Sequence, residues 1–319
     1  MLTFVVRRLL ITIPMMLVVS FLVYLGLELT PGDVVSHMID PEAAAQMTEK
    51  EFAAVREALG LNKSFLERYM IWLSNVLQGN FGHSLSAGVA ISFIVLDRLP
   101  ATLELAVFAL FVSTCLGCVL GALSALRRGS GTDNALTVFG MMGVSIPEFF
   151  FGLVAILIVA LNLGWLPVGG RLLPGYEGFF DRLPHIILPG IVMSLMMTAG
   201  VMRYSRSAML DSLSRDFIRT AQSKGLPNWR INIIHGFRVA LTPVVVLVGF
   251  RLPTLIGGSV IIEKVFQWPG VGNEFILAVR GSDYPLVMMI ALFSVFAVLL
   301  ASLLVDILTA LIDPRVRLS

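Results

Sequence analysis

Residues 213–227 read LSRDFIRTAQSKGLP and form the centre of a polar, cation-rich segment, 203–239, that separates two long apolar stretches. Within it, Leu213, Phe217 and Ala221 recur at i, i+4 and i+8, which predicts an apolar stripe along one side of a short helix. About ten residues at helical rise span roughly 15 Å, which is too short to cross a bilayer. We therefore expect a compact loop on one face of a membrane.

The ends of this short helix are also readable. Ser214 is predicted to cap its start, with Asp216 in the first turn. Lys224 and Gly225, followed by Pro227, predict an abrupt end. A capped amphipathic helix of this length is suited to insertion into a cleft of another protein.

The composition excludes a soluble globular domain. Of the 319 residues, 57% are hydrophobic and only 14% are charged, and the mean hydropathy is +0.88. The net charge of +2 says little, because in a membrane protein the location of charges matters more than their sum. Cys115 and Cys118 both lie in an apolar run, which excludes a disulfide scaffold.

The chain is predicted to be an all-α polytopic membrane protein with six transmembrane helices. Arg7 and Arg8 precede an apolar core that lacks a small-residue cleavage site, which favours a retained first span over a signal peptide. Six stretches reach the roughly 20 apolar residues that a bilayer core demands. They lie near 9–29, 101–125, 135–161, 186–206, 240–262 and 286–311.

The distribution of cations predicts the orientation. With both termini in the cytoplasm, 13 of the 23 Lys and Arg residues fall in the short inner segments and nine in the longer outer ones, as the positive-inside rule expects. The first outer segment is rich in acids instead. The inner cations are Arg7, Arg8, Arg127, Arg128, Arg203, Arg206, Arg215, Arg219, Lys224, Arg230, Arg238, Arg315 and Arg317.

The first outer segment, 30–99, is the one large piece predicted to lie outside the membrane. Residues 48–60 are predicted to form a helix with a Thr cap and a Gly stop, and residues 64–77 a second, amphipathic helix. Trp72 is placed to rest at the membrane interface. We expect a small helical cap over the outer end of the bundle.

Motifs for chemistry are missing from the sequence. It has no G-x-x-x-x-G-K-[ST] loop, so no nucleotide site of that kind is predicted, and its four histidines are isolated. Cys115 and Cys118 have C-x-x-C spacing but are predicted to pack rather than to bind metal. Gly117 and Gly121 form a G-x-x-x-G step, which is typical of close helix contacts. We therefore predict no catalytic, cofactor or metal site.

The motifs together resemble a known family. The segment FIRTAQSKGL, residues 217–226, resembles the cytoplasmic coupling segment of binding-protein-dependent ABC permeases of the dipeptide/oligopeptide/nickel branch. The resemblance covers nearly the whole chain. Further similar segments are 7–10 with 31–33, 99–105, 145–152, 203–210, 263–272, 283–285, and Asp306 with 313–317.

This resemblance implies a type I ABC importer permease of the bacterial inner membrane, and not an enzyme. Implied domains are 1–96 (first span and periplasmic helical segment), 97–313 (transmembrane domain with coupling loop 203–239) and a cytoplasmic tail, 314–319. Implied partners are a second homologous permease, two ATPase subunits, an extracytoplasmic solute-binding protein and membrane lipid, with no nucleic acid. Implied contacts with the ATPase are Asp216, Phe217, Arg219, Thr220, Ala221, Lys224 and Gly225.

One of these positions departs from the wider permease superfamily. Arg219 stands where the superfamily usually has a glutamate, whereas the peptide branch resembles this chain in having arginine. An electrostatic attraction to the ATPase would therefore run from Arg219 or Lys224 to acids on the partner.

Ionisable residues at membrane depth are the next candidates, because each is costly there unless it is paired or hydrated. Arg251 lies in mid-span, close to Pro253, and either faces the translocation path or forms an ion pair with Glu148 or with an acid of the partner permease. Glu104 and Asp306 lie nearer to span ends, where packing or capping is expected. The helix breaks are predicted at Pro147, Pro189, Pro243 and Pro253.

Two other classes of protein remain as alternatives. A secondary transporter would need coupling-ion ligands and an internal inverted repeat, and neither is visible. A non-conducting membrane scaffold leaves the buried charges without a purpose. The sequence does not decide among dipeptides, oligopeptides, nickel chelates, glutathione, opines and oligosaccharides as solute.

Overall fold

A computed structural model of the chain describes residues 2–29, 62–172, 178–251 and 259–312, and the single positions 48, 50, 51, 54, 57 and 255. Regular structure in this part is helical, apart from one isolated bridge between His83 and Ala90. The all-α class is thereby confirmed. The first six helices are α1 (Leu2–Glu28), α2 (Phe65–Leu77), α3 (Ile91–Leu126), α4 (Gly131–Ser145), α5 (Glu148–Ala155, continued by a π-helix, Ile156–Asn162) and α6 (Phe179–Leu213).

The remaining helices follow the polar segment that opened the sequence analysis. They are α7 (Asp216–Ser223), α8 (Asn228–Arg230, continued by a π-helix, Ile231–Phe237), α9 (Arg238–Gly249), α10 (Val260–Val265), α11 (Val271–Arg280) and α12 (Tyr284–Ile312).

Among the described residues, four helices are long and apolar enough to cross a membrane: Ile91–Leu126, Phe180–Leu213, Asn228–Gly249 and Tyr284–Val305. A fifth is obtained if Gly131–Gly143 and Glu148–Asn162, which are bent by 100° at the break between them, count as one span. The apolar part of α1, Leu10–Gly26, is shorter. The total of six spans therefore stays a prediction.

The chain divides into two compact units, and the larger comprises residues 1–5, 100–273 and 297–319. Its main apolar core includes the fully buried side chains of Leu105, Phe266 and Trp268. The Trp268 indole also donates a hydrogen bond to the Ala101 carbonyl oxygen, at 2.8 Å, so this large side chain is buried without an unpaired donor. The domain boundaries inferred from the sequence stay a prediction.

The smaller unit comprises residues 6–99 and 274–296. Within it, α2 begins at a capping box in which Ser64 and Glu67 satisfy each other's backbone N–H groups. The Tyr69 hydroxyl lies 2.9 Å from that of Ser20 on α1, and Trp72 packs against Tyr24. The amphipathic helix predicted over 64–77 is therefore present, whereas most of the helix predicted over 48–60 lies outside the described residues.

The glycine step in α3 is a close helix contact, as predicted. A Cβ added at Gly121 would lie 2.5 Å from the Met202 carbonyl oxygen, and one added at Gly117 would lie 2.6 Å from the Val201 Cβ. Real side chains do not approach so closely, so α3 can pack on α6 at this distance only because both residues lack a Cβ.

The proline prediction is correct at one position and wrong at two. Pro147 stands immediately before α5, where the helix axis breaks. Pro189 and Pro243 lie inside the continuous helices α6 and α9 instead. A proline removes one backbone donor, and neighbouring elements in a membrane bundle can compensate for that loss. Pro253 lies outside the described residues.

Candidate functional site

The first candidate site is α7, and it begins later than the sequence suggests. Ser214 is not its cap, because α6 continues to Leu213 and the Ser214 N–H still bonds back to Leu210 and Asp211. Arg215 takes the N-cap position without a side-chain hydrogen bond, and α7 then runs for eight residues. The prediction of a Ser214 cap and a ten-residue helix was therefore wrong, since the preceding helix uses the serine at its own end.

The end of α7 agrees with the prediction in detail. Lys224 is the C-cap, and Gly225 follows with φ +72°, in the left-handed region that favours glycine. The Gly225 N–H bonds to the Gln222 oxygen at 2.9 Å, and the Leu226 N–H bonds to the Ala221 oxygen at 3.3 Å. These two bonds define a Schellman motif, which fixes the direction in which the chain leaves the helix.

One side of α7 is packed onto its own chain. Ile218 and Ala221 are buried against Ile231, with Leu213 and Leu226 packed around them. Phe217, predicted to share the inner stripe, is exposed instead, and Ile218 lies on the inner side in its place. Ala221 therefore supports the helix from inside and is not available for contact with a partner.

The other side of α7 is not covered by the described residues. Of the seven residues predicted to meet an ATPase, all except Ala221 are exposed. Arg219 and Asp216 lie 3.7 Å apart, but their side chains are 79% and 96% exposed. An ion pair in such a solvated place contributes little, so both charges remain available to a partner. The six exposed residues are Asp216, Phe217, Arg219, Thr220, Lys224 and Gly225.

An aromatic residue next to α7 was missed by the sequence analysis. Trp229 is 57% exposed, and the Arg230 guanidinium lies over its ring at 5.4 Å from the centroid. The signal was available in the sequence, because a tryptophan stands next to an arginine in a polar, cation-rich segment, and exposed Trp and Arg side chains are common in protein interfaces.

The helix that leads into α7, α6, is tied to the rest of the larger unit by polar side chains. Arg206 on α6 donates two hydrogen bonds of 2.8 Å to Asp133 at the start of α4, and Ser124 on α3 donates a third. Ser212 donates to the Gly236 oxygen at 2.9 Å. Bidentate pairing of this kind fixes geometry as well as adding stability, so α7 is mounted on a rigid support.

The second candidate pair, Glu148 and Arg251, is not joined in the structure. Among the described residues no ion pair connects them. Glu148 lines a cavity between α4, α5 and α6. The Arg251 guanidinium packs against α6 at Gly200, where a Cβ added to that glycine would lie 2.7 Å from it. Glu104, expected to have a packing role, forms an ion pair with Arg171 at 2.7 Å. The side chain of Asp306 lies outside the described residues.

A buried carboxylate that the sequence analysis left unexplained organises the segment 259–273. Glu263 is fully buried and accepts hydrogen bonds from Thr102 at 2.7 Å, Ser259 at 2.9 Å and the Asn273 N–H at 2.9 Å. A Cβ at Gly270 would lie 2.4 Å from its carboxyl carbon. Gly270 therefore leaves room for the Glu263 side chain. The donors of Thr102, Ser259 and Asn273 satisfy its carboxyl oxygens.

These features define a helical membrane protein with a short, exposed helix mounted on a rigid polar support. The family models match it in two parts: the binding-protein-dependent transport system inner membrane component over residues 117–318, and the N-terminal part of such components over 1–106. The chain belongs to the family of binding-protein-dependent transport system inner membrane components. The family consists of transport permeases and not of enzymes.

Curated relatives agree over the full length. The chain is 38% identical to the oligopeptide transport system permease protein AppB of Bacillus subtilis, covering 99% of this chain and 100% of that one. It is 36% identical to the di/tripeptide transport system permease protein DppB of Pseudomonas aeruginosa, covering 99% of each chain. An amino acid ABC transporter solved with histidines shares the fold, with a TM-score of 0.52 at 14% identity over 68% of this chain and 94% of that chain.

Proposed function

We propose that this chain is a membrane subunit of an ATP-driven peptide importer, in which α7 receives the motion of separate ATPase subunits. The permease forms half of the pathway, and a second homologous permease forms the other half. A solute-binding protein delivers peptide from outside. The full-length relatives named for oligopeptide and di/tripeptide transport support peptide as the substrate class.

The single observation that carries the coupling role is the two-sided character of α7. Ile218 and Ala221 lock it onto its own chain, while Phe217, Arg219 and Lys224 point into solvent. A helix held in this way moves as a rigid body with the rest of the larger unit when a partner pushes on its free side. Electrostatic attraction would come from Arg219 and Lys224 to acidic groups of the partner.

Transport assays in vesicles test the proposed function. The chain is co-expressed with the proteins encoded beside it, and the purified complex is reconstituted with the solute-binding protein and radiolabelled dipeptide. Uptake is expected to require ATP, to stop when ATP is replaced by a non-hydrolysable analogue, and to survive ionophores that abolish ion gradients. Uptake that follows the ion gradient without ATP would instead identify a secondary transporter.

The exposed side of α7 is tested in the same vesicles with two alanine substitutions. Phe217→Ala removes the largest exposed contact group and is expected to lower peptide uptake severalfold while the complex still hydrolyses ATP. Ser223→Ala, also exposed, is the matched control and is expected to transport normally. Equal uptake by both variants would contradict a docking role for this side of the helix.

A further inference from the structure

A cavity of about 190 Å³ lies where the helix breaks between α4 and α5, closed on one side by α6. Its walls are apolar except for one carboxyl group, and among the described residues that line it Glu148 alone is ionisable. The principal lining residues are Phe139, Met142, Glu148, Phe151, Met196 and Ala199.

Glu148 has no partner of its own in this cavity. Among the described residues it forms no hydrogen bond or ion pair with another side chain. It stands in the first turn of α5 and lines the cavity with its carboxyl group. A carboxyl group without a partner gains from a cationic ligand, because a hydrogen bond between charged groups is stronger than one between neutral groups.

The nearest candidate for an internal cation does not fill this role. Arg251 lies against Gly200, the neighbour of the cavity residue Ala199, yet its guanidinium is not within ion-pair distance of Glu148. The Glu148 carboxyl group therefore has no ion-pair partner in the described part of the chain, so it is available to a ligand that enters the cavity.

The size and lining of the cavity limit what that is. A volume of about 190 Å³ exceeds the roughly 150 Å³ that holds a benzene ring and is below the range typical of sites for whole drug-sized molecules. It fits one amino-acid residue. Met142 and Met196 are flexible and polarisable, so they adapt to apolar side chains of different shapes.

Resting on the proposed function, we infer that this cavity binds the amino-terminal residue of the transported peptide. The Glu148 carboxylate accepts hydrogen bonds from the peptide α-ammonium group. Met142, Phe151 and Met196 contact the apolar side chain of the same residue. The subsite therefore selects peptides that have a free amino terminus and an apolar first residue.

Protection from alkylation tests this inference in the intact complex. Met142 is 59% exposed, so Met142→Cys, in a background with both native cysteines changed to alanine, provides a reporter thiol in the cavity. Leucyl-alanine is expected to slow its alkylation by a small maleimide, whereas N-acetyl-leucyl-alanine, which lacks the cation, is not. Equal slowing by both peptides, or by neither, overturns the inference.

A charge-neutral variant assigns the effect to the carboxylate. With Glu148→Gln, protection by leucyl-alanine is expected to need about tenfold more peptide or more, because a hydrogen bond to a charged group is lost. Unchanged protection in this variant also overturns the inference. Asp211→Asn neutralises an exposed carboxylate of α6 outside the cavity; it is the matched control and should keep protection.

ATP-driven uptake of leucyl-alanine, measured with the Cys-free parent, separates this inference from the proposed function. If the parent transports the peptide but no protection is seen, the proposed subsite is refuted and the proposed importer function is retained. If the parent shows no ATP-driven uptake, the proposed function itself fails.

Discussion

At the scale of single residues, Gly225 decides how α7 ends. Its φ of +72° is unfavourable for any side chain with a β-branch, although an added Cβ would meet no neighbouring atom within 4 Å. Any effect of substitution there therefore comes from backbone strain and not from a clash, which makes the position a clean test of the helix end.

Gly225→Val is expected to lower ATP-driven uptake about tenfold while ATP hydrolysis continues. Strain of roughly 1–3 kcal/mol is enough to unwind the last turn and disturb the face that meets the ATPase. Parallel measurement of uptake and phosphate release checks this. Gly131→Val is the matched control, because Gly131 is also free of neighbours but has no positive φ. Normal uptake by a stably assembled Gly225→Val complex would refute the docking role of α7.

Asp283 is a second decisive residue, and it predicts acid sensitivity of the smaller unit. Burial tends to raise its pKa, but hydrogen bonds from Ser84 at 2.5 Å and from Ser86 at 2.9 Å and 3.1 Å outweigh this and lower the pKa below its ordinary value. Ionised Asp283 therefore stabilises the fold above the unfolded chain's pKa of about 3.9, and this contribution is lost as the pH falls through the lower folded value.

Removing the two serine hydroxyls with Ser84→Ala and Ser86→Ala is expected to destabilise the protein by about 1.5–3 kcal/mol at pH 7, because a buried carboxylate loses its donors. The variant should lose less further stability than the parent between pH 5 and pH 3. Thermal unfolding of the two detergent-solubilised proteins across that range measures the difference. Parallel pH curves would show that Asp283 is not the group responsible.

At the scale of elements, the contact of α3 with α6 depends on two glycines spaced by four residues. Gly121→Val places new atoms against the α6 backbone, where nothing flexible can move aside. We expect a loss of about 1–3 kcal/mol in stability, or failure to assemble. The same Gly131→Val control should behave as the parent, since a Cβ there meets nothing. Melting temperatures and complex yields of the two variants check this. Equal values would show that the contact of Gly121 with α6 does not contribute to stability.

The sequence predicted these elements unevenly, and the reasons are physical. Apolar length and the glycine step are strong signals, because membrane burial and backbone approach leave few alternatives. The end of α7 was predictable because the left-handed position after a helix strongly favours glycine. The start of α7 was not predictable, because a serine such as Ser214 can end one helix or begin the next. The packing of Ile218 on Ile231 determines where α7 begins.

Two further features required the structure. The segments Ile156–Asn162 and Ile231–Phe237 are π-helical, with about one extra residue per turn. No local sequence pattern predicts this change. The donors of Glu263 come from residues as far apart as Thr102 and Asn273, so no window of sequence contains them. Of the residues predicted to contact an ATPase, the charged ones are exposed, because charge and solvent exposure go together, whereas Ala221 is buried; the contact with an ATPase stays a prediction.

At the scale of the whole molecule, the proposed function assigns ATP hydrolysis to separate subunits and the coupling contact to α7. The sequence has no loop of the kind that binds nucleotide phosphates, and α7 offers a rigid free side near several cations. If the cations mark the cytoplasmic face, the energy source and the coupling helix lie on the same side of the membrane, as the proposed function needs. The coupling role of α7 therefore requires the segment 203–239 to lie in the cytoplasm.

Cysteine labelling tests that orientation directly. Lys63 and Ser223 are both exposed, and Lys63 lies just before the capping box at Ser64, so its substitution leaves the cap intact. In a background with Cys115→Ala and Cys118→Ala, we expect Lys63→Cys to react with an impermeant maleimide added to intact cells. Ser223→Cys should react only in inside-out vesicles, because the positive-inside rule predicts that the cation-rich segment 203–239 lies in the cytoplasm. The background protein without cysteines should remain unlabelled in both preparations. Labelling of both positions from outside would place α7 on the face without ATP, and the coupling role would then be impossible whatever the shape of the helix.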